Sequence, residues 1–151
     1  MSKPASYALV IRQLEALLEG ETDPIAKMAN MAAVLHESFG FWWTGFYRVA
    51  GEELILGPFQ GPVACMHIPF GRGVCGTAWK RNETVVVPDV EAFPGHIACS
   101  SASRSEIVVP VHGTDGAVVA VLDIDSERLG TFDEVDKEWL EKIVSLLAPV
   151  H

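Results

Sequence analysis

Apolar residues recur at helical spacing near the start of the chain, where Leu9, Ile11, Leu14, Leu17 and Leu18 predict an amphipathic helix. DPIAKMANMAAVLHESF predicts a second. Asp23 can cap its first turn, and Pro24 suits a first helical position because no intrahelical N–H bond is lost there. The hydrophobic period then changes. FWWTGFYRVAGEELILGPF reads as two strands around Gly51, rich in the aromatic and β-branched side chains that pack well on a pleated surface. ACMHIPF is a third candidate strand. GRGVCGTAWKRNE opens on glycines and can hold a short helix from about 74 to 82, and TVVVPDV returns to an extended form. Residues 90–104 read as loop. SEIVVPVH and AVVAVLDIDS are strong strands joined by the turn GTDG, and TFDEVDKEWLEKIVSLLAPV predicts a closing amphipathic helix that starts at Thr131 or Asp133.

Helices first, then strands joined by short links, then a helix, give an α+β fold with a central antiparallel sheet flanked by N- and C-terminal helices. Short links cannot make the crossovers that parallel strands need. The 151 residues suit one domain over 1–151, large enough to bury about two-thirds of the surface of the unfolded chain. A net charge of -9 argues against a nucleic-acid groove or an anionic membrane surface as partner and favours a cationic or zwitterionic small ligand, although solubility alone also accounts for it. No stretch resembles a signal h-region or approaches about 18 uninterrupted apolar residues, so a cytoplasmic protein is expected. Three cysteines are an odd number for a disulfide framework and are expected as thiols, any disulfide being transient.

GRGVCG at 71–76 satisfies the dinucleotide-binding pattern G-x-G-x-x-G, but only six to nine residues are available for the helix that follows, too few for a βαβ crossover. What survives is a glycine turn, or a helix start whose N–H groups suit a small anion such as a ligand carboxylate. Cys65, Cys75 and Cys99 with His67, His96 and His112 could supply zinc ligands, yet no C-x-x-C pair or H-E-x-x-H helix is present, and no metal site is assigned. Cys75, between valine and glycine, reads as a small packed hydrophobe. Cys99 stands among Ser100, Ser101, Ser103 and Arg104, where a thiol can be reached and ionised, so inert and reactive readings both stand. In LDIDS, Asp123 and Asp125 project from one strand face and Leu122 and Ile124 from the other. Two carboxylates so close repel, and one should have a raised pKa unless a cation sits between them. In FWWTGFY, Trp43, Gly45 and Tyr47 share a face, and the missing side chain at Gly45 leaves a gap that could take a small apolar group or be filled as core. Trp42 and Phe46, on the other face, read as core.

Taken together, WTGFY, GPVACMHIPFGRGVCGTAW, HIACSSASRSEIVVPV and VLDIDS resemble the free methionine-(R)-sulfoxide reductases, enzymes built on a GAF domain. The resemblance implies reduction of free methionine-(R)-sulfoxide to methionine, with Cys99 as nucleophile and Cys65 as the resolving cysteine. It implies Glu106, Asp123 and Asp125 as the carboxylates that bind substrate and handle protons, and Trp43 with Tyr47 as the wall around the substrate's methyl group. Cys75 is implied as a lesser member of the pocket, an alternative resolver or a structural thiol. Backbone N–H groups from Gly71 to Thr77 are the implied cradle for the substrate carboxylate. No bound cofactor is expected, thioredoxin is the expected external reductant, and a homodimer is implied. The competing expectation is a non-catalytic GAF module that senses a small ligand.

Overall fold

The structure is a computed structural model and describes residues 1–96 and 102–148. Helix α1 (Lys3–Leu18) starts where the Ser2 hydroxyl accepts the Ala5 N–H, and α2 (Pro24–Phe39) where the Asp23 carboxylate accepts the N–H groups of Ile25 and Ala26. Gly40, with a left-handed φ of 67°, ends α2 and returns its N–H to the His36 carbonyl. The inward face of α1 differs from the sequence expectation. Tyr7, Val10, Leu14 and Leu18 face the core, Ile11 is partly buried, and Leu9 and Leu17 are 57% and 48% exposed. Tyr7 sets the rotation of the helix: its hydroxyl donates to the buried Asp136 carboxylate at 2.5 Å. Leu9, two positions further on, is then turned about 200° away.

Six strands form one antiparallel sheet: β1 (Trp43–Ala50), β2 (Glu53–Gln60), β3 (His67–Pro69), β4 (Val85–Val87), β5 (Ser105–His112) and β6 (Val118–Ser126), in the spatial order β3-β2-β1-β6-β5-β4. The predicted hairpin around Gly51 is present. A register shift between Gly45 and Tyr47 absorbs Pro58, which cannot donate to a ladder. The third strand is shorter than expected, three residues of ACMHIPF. Helix α3 (Gly73–Arg81) follows it, and the loop expected over 90–104 carries a 3-10 turn at Val90–Ala92. Helix α4 (Glu134–Val144) starts at Asp133, not Thr131, in a reciprocal capping box with Asp136.

Both faces of the sheet are covered. On one, Phe46, Ile107, Leu122 and Ile124 pack against α1, α2 and α4. On the other, Tyr47, Val108, Val121, Val85 and Val87 pack beneath α3. A strand residue therefore chooses by parity between a dry helical core and the α3 side, where the pocket lies. Among the described residues no helix is long and apolar enough to cross a membrane.

Candidate active site

The register of β1, β6 and β5 builds the acidic part of the pocket. Trp43 pairs with Asp125 and Asp125 with Glu106, so the three stand in one row across the sheet. Two residues along, Gly45 pairs with Asp123 and Asp123 with Val108. Asp123 and Asp125 share a face, as their spacing predicts, while Leu122 and Ile124 enter the helical core. The face is not solvated. Glu106 and Asp123 are each only 6% exposed, because α3 lies over the strands that carry them. Ser103 donates its hydroxyl to Asp125 Oδ1 at 3.0 Å. Asp123 Oδ1 is buried and has no hydrogen-bond partner among the described residues.

Burial raises the pKa of all three acids, and each has another carboxylate beside it that adds to the effect. Glu106 is pushed up to about 8 by burial and then by Asp125. Asp123 and Asp125 rise well above the usual carboxylate range, by burial and then by Glu106 and Asp123 respectively. If all three were ionised, their oxygens would be acceptors facing acceptors; a proton held on one turns repulsion into a hydrogen bond. The cluster is thus a store of protons at neutral pH.

Helix α3 supplies the other wall. In GRGVCG, Gly73 takes a left-handed φ of 64° and a side chain at Gly76 would lie 2.8 Å from the Pro69 carbonyl, so these glycines serve a tight entry to a short helix. A dinucleotide site is ruled out by the antiparallel β4 that follows. The cradle expected from Gly71 to Thr77 is narrower in the structure. The N–H of Gly71 bonds the Gly76 carbonyl, that of Arg72 the Pro69 carbonyl and that of Gly76 the Arg72 carbonyl. Gly73, Val74 and Cys75 occupy the first turn, where a helix offers no acceptor for their N–H groups, and all three line the pocket.

Trp43 and Tyr47 stack, with ring centres 6.0 Å apart, and both line the pocket. The gap expected at Gly45 is already filled: an added Cβ would fall 2.6 Å from the Trp43 ring and 2.4 Å from Phe59. The polar tips of the two aromatics have a further task. Trp43 Nε1 donates to the Pro62 carbonyl at 3.0 Å and the Tyr47 hydroxyl to the Cys65 carbonyl at 2.8 Å. Together they moor the 62–65 segment to the sheet. Cys65 is half-buried and disulfide-bonded. Cys99, with residues 97–101, lies outside the described residues.

Cys75 is a buried free thiol, and its surroundings are more polar than the sequence suggested. Its Sγ and oxygens of Glu106 and Asp123 all lie within 4.8 Å of one another. Burial, then Asp123, raises its pKa. Of the histidines weighed as ligands, His67 is exposed, with Nδ1 3.0 Å from Glu53 Oε1, and His112 meets Asn82. His96 lines the pocket, its pKa lowered by burial. Trp42, read from alternation as core on the opposite face, also lines the pocket; it precedes β1, where strand parity has not begun. Ser103, noted in the sequence only as a neighbour of Cys99, and Arg72, within the glycine turn, also line the pocket.

A GAF domain with a buried acidic pocket between its sheet and α3 is the class that this fold and site define, and the GAF domain family matches residues 27–150. The free methionine-R-sulfoxide reductase of Escherichia coli (strain K12) is 46% identical over 151 residues, 99% of this chain and 91% of that protein. GAF domain-containing protein A of Dictyostelium discoideum is 54% identical over 147 residues, 97% of this chain and 92% of that protein. Among solved structures, the free methionine-R-sulfoxide reductase of Neisseria meningitidis in complex with its substrate is 55% identical, with a TM-score of 0.95, covering 97% of this chain and 89% of that one. The chain belongs to the free methionine-(R)-sulfoxide reductases, oxidoreductases of the GAF fold.

Proposed function

We propose that this protein reduces free methionine-(R)-sulfoxide to methionine, with Cys99 as nucleophile, Cys65 as resolving cysteine and thioredoxin as the external dithiol. The observation that carries the reading is the adjacency of two opposite binding functions. A free amino acid bears its ammonium and carboxylate on one carbon, so its site must offer acceptors and donors side by side. Cys75 belongs to the first turn of α3, with its uncommitted N–H groups, and its side chain reaches within 4.8 Å of Glu106 and Asp123. The orphaned Asp123 Oδ1 is an acceptor waiting for such a donor.

The Cys99 thiolate attacks the sulfoxide sulfur, and the sulfoxide oxygen takes protons from the acid cluster, Glu106 being the first candidate because its pKa of about 8 keeps it protonated at neutral pH. Oxygen passes to the cysteine, leaving methionine and a Cys99 sulfenic acid. The Cys65 thiol displaces water from that sulfenic acid to form a disulfide, and thioredoxin returns two electrons and two protons by thiol–disulfide exchange. Cys65 is well suited to its part: Tyr47 holds its carbonyl, and it is disulfide-bonded while Cys75 is free. A reducing cytoplasm is the compartment in which such a cycle runs.

A single-turnover experiment tests the scheme. Reduced protein mixed with excess free methionine-(R)-sulfoxide and no reductant should form one methionine and lose two thiols per chain. Cys99→Ser should form none, and Cys65→Ser should form one methionine and stop at the sulfenic acid. Methionine formation by Cys99→Ser at the wild-type rate would overturn the assignment.

A further inference from the structure

Cys75 is a buried free thiol to which the proposed reaction gives no step. Its Sγ, a Glu106 oxygen and an Asp123 oxygen converge within 4.8 Å of one another, and the three residues are 4%, 6% and 6% exposed. Asp123 Oδ1 is buried and has no hydrogen-bond partner among the described residues, so the carboxylate that enters this cluster keeps an acceptor to be satisfied. An ammonium group would satisfy the oxygens and leave the sulfur unused. One sulfur with two carboxylates is instead the mixed donor set of a borderline-soft divalent cation. Bonds of about 2.0–2.3 Å in a tetrahedron place donors roughly 3.3–3.8 Å apart, so the three side chains need close by only about an ångström, and a fourth position stays open for water.

We propose that Cys75, Glu106 and Asp123 form a binding site for a thiophilic divalent cation, Zn²⁺ or Cd²⁺, which occupies the place of the substrate ammonium, so that metal and free methionine sulfoxide exclude each other. On binding, the Cys75 thiol and whichever of the Glu106 and Asp123 carboxyls are protonated lose their protons to solvent, so that one thiolate sulfur and two carboxylate oxygens become the ligands. The cation turns the pocket from a substrate site into a blocked one, and the enzyme becomes sensitive to free zinc or cadmium. The mutual exclusion rests on the substrate pose proposed above; the metal site does not.

The test uses the Cys65→Ser/Cys99→Ser protein, in which Cys75 is the only cysteine left. Titration with Cd²⁺ should raise a thiolate-to-metal charge-transfer absorption that saturates at one Cd²⁺ per chain. Adding Cys75→Ser should abolish the band. Adding Asp123→Asn instead, which keeps the thiol, should weaken Cd²⁺ binding by about tenfold or more. Circular dichroism establishes that each variant is folded. No saturable band in the folded double variant, or an unchanged affinity in the Asp123→Asn protein, would overturn the metal site. Free methionine-(R)-sulfoxide added to the same titration should shift half-saturation to higher Cd²⁺. A Cys75-dependent band that the sulfoxide leaves unmoved would overturn the exclusion and the substrate pose while the metal site stood; sulfoxide binding by calorimetry with no band would do the reverse.

Discussion

Glu106 shows how a single side chain ties stability to activity. Burial and then Asp125 disfavour its charge and push its carboxyl up to about 8 in the folded protein, from 4.5 when unperturbed. An acid raised in this way favours the fold while it is protonated in both states, below about 4.5. That contribution is lost progressively as pH rises to about 8 and is flat beyond. Asp123 and Asp125, shifted in the same direction, add to the loss. The ligand-free protein should therefore melt about 5–10 °C lower at pH 9 than at pH 5. Glu106→Gln should make this slope shallower and raise the melting temperature at pH 9, while its reductase activity should fall at least tenfold if Glu106 is the proton donor proposed above. Thermal unfolding scans across pH check the first outcome and a thioredoxin-coupled assay the second; a melting temperature that rises with pH would contradict the account. Asp123 and Asp125 were legible in the sequence, since two apart they must share a strand face, whereas Glu106 entered only through the family resemblance. The burial of all three was not legible, because it depends on α3 lying over β5 and β6, a contact between segments about 30 or more positions apart in the chain. The same applies to Tyr47, whose ring was readable as pocket wall but whose hydroxyl turns out to hold the Cys65 carbonyl.

At the scale of elements, capping chemistry was the most readable signal. Asp23 with Pro24 starts α2 where the sequence places it, and of the two residues weighed for α4, Asp133 is the one that completes a reciprocal box with Asp136. The rotation of α1 was misread because apolar spacing alone includes Leu9 and Leu17, whereas the helix is oriented by polar contacts at its start. Lys3 Nζ donates to Asp136 Oδ2 at 2.6 Å and Tyr7 to Oδ1 at 2.5 Å, which joins the first turn of α1 to the first turn of α4. Asp136 Oδ2 also accepts the Asp133 N–H at 2.9 Å. Tyr7→Phe removes one bond to a buried carboxylate and keeps the ring stacked on Trp139 and tilted against Phe39. It should lower unfolding free energy by about 1–3 kcal/mol in urea titrations with an unchanged slope. The kcat/KM of the folded enzyme should stay at the wild-type value, because this staple lies on the helical side of the sheet and the pocket on the other. A loss of activity at full folding would show that the two faces are coupled.

Across the whole molecule, the sheet divides labour by parity: β1, β5 and β6 send alternate residues into a helical core and into the site, so the pocket rests on rigid strands and not on loops alone. In the proposed binding mode, recognition of a free amino acid needs both walls at once, the first turn of α3 for the carboxylate and the β5–β6 acids for the ammonium. A peptide bond on either side of methionine sulfoxide replaces one of these charges with a neutral amide and leaves its buried partner unsatisfied, which costs about 1–3 kcal/mol, roughly a 5- to 150-fold loss for each end. N-acetyl-methionine-(R)-sulfoxide and methionine-(R)-sulfoxide amide should each lose kcat/KM within that range, and a substrate blocked at both ends should lose about the product of the two. The N-acetyl loss should shrink in Asp123→Asn, where the ammonium no longer meets its full set of acceptors, while the amide loss should persist. Stereochemically pure substrates in a coupled assay separate these cases, and equal kcat/KM for free and doubly blocked sulfoxide would show that neither wall reads the charge assigned to it.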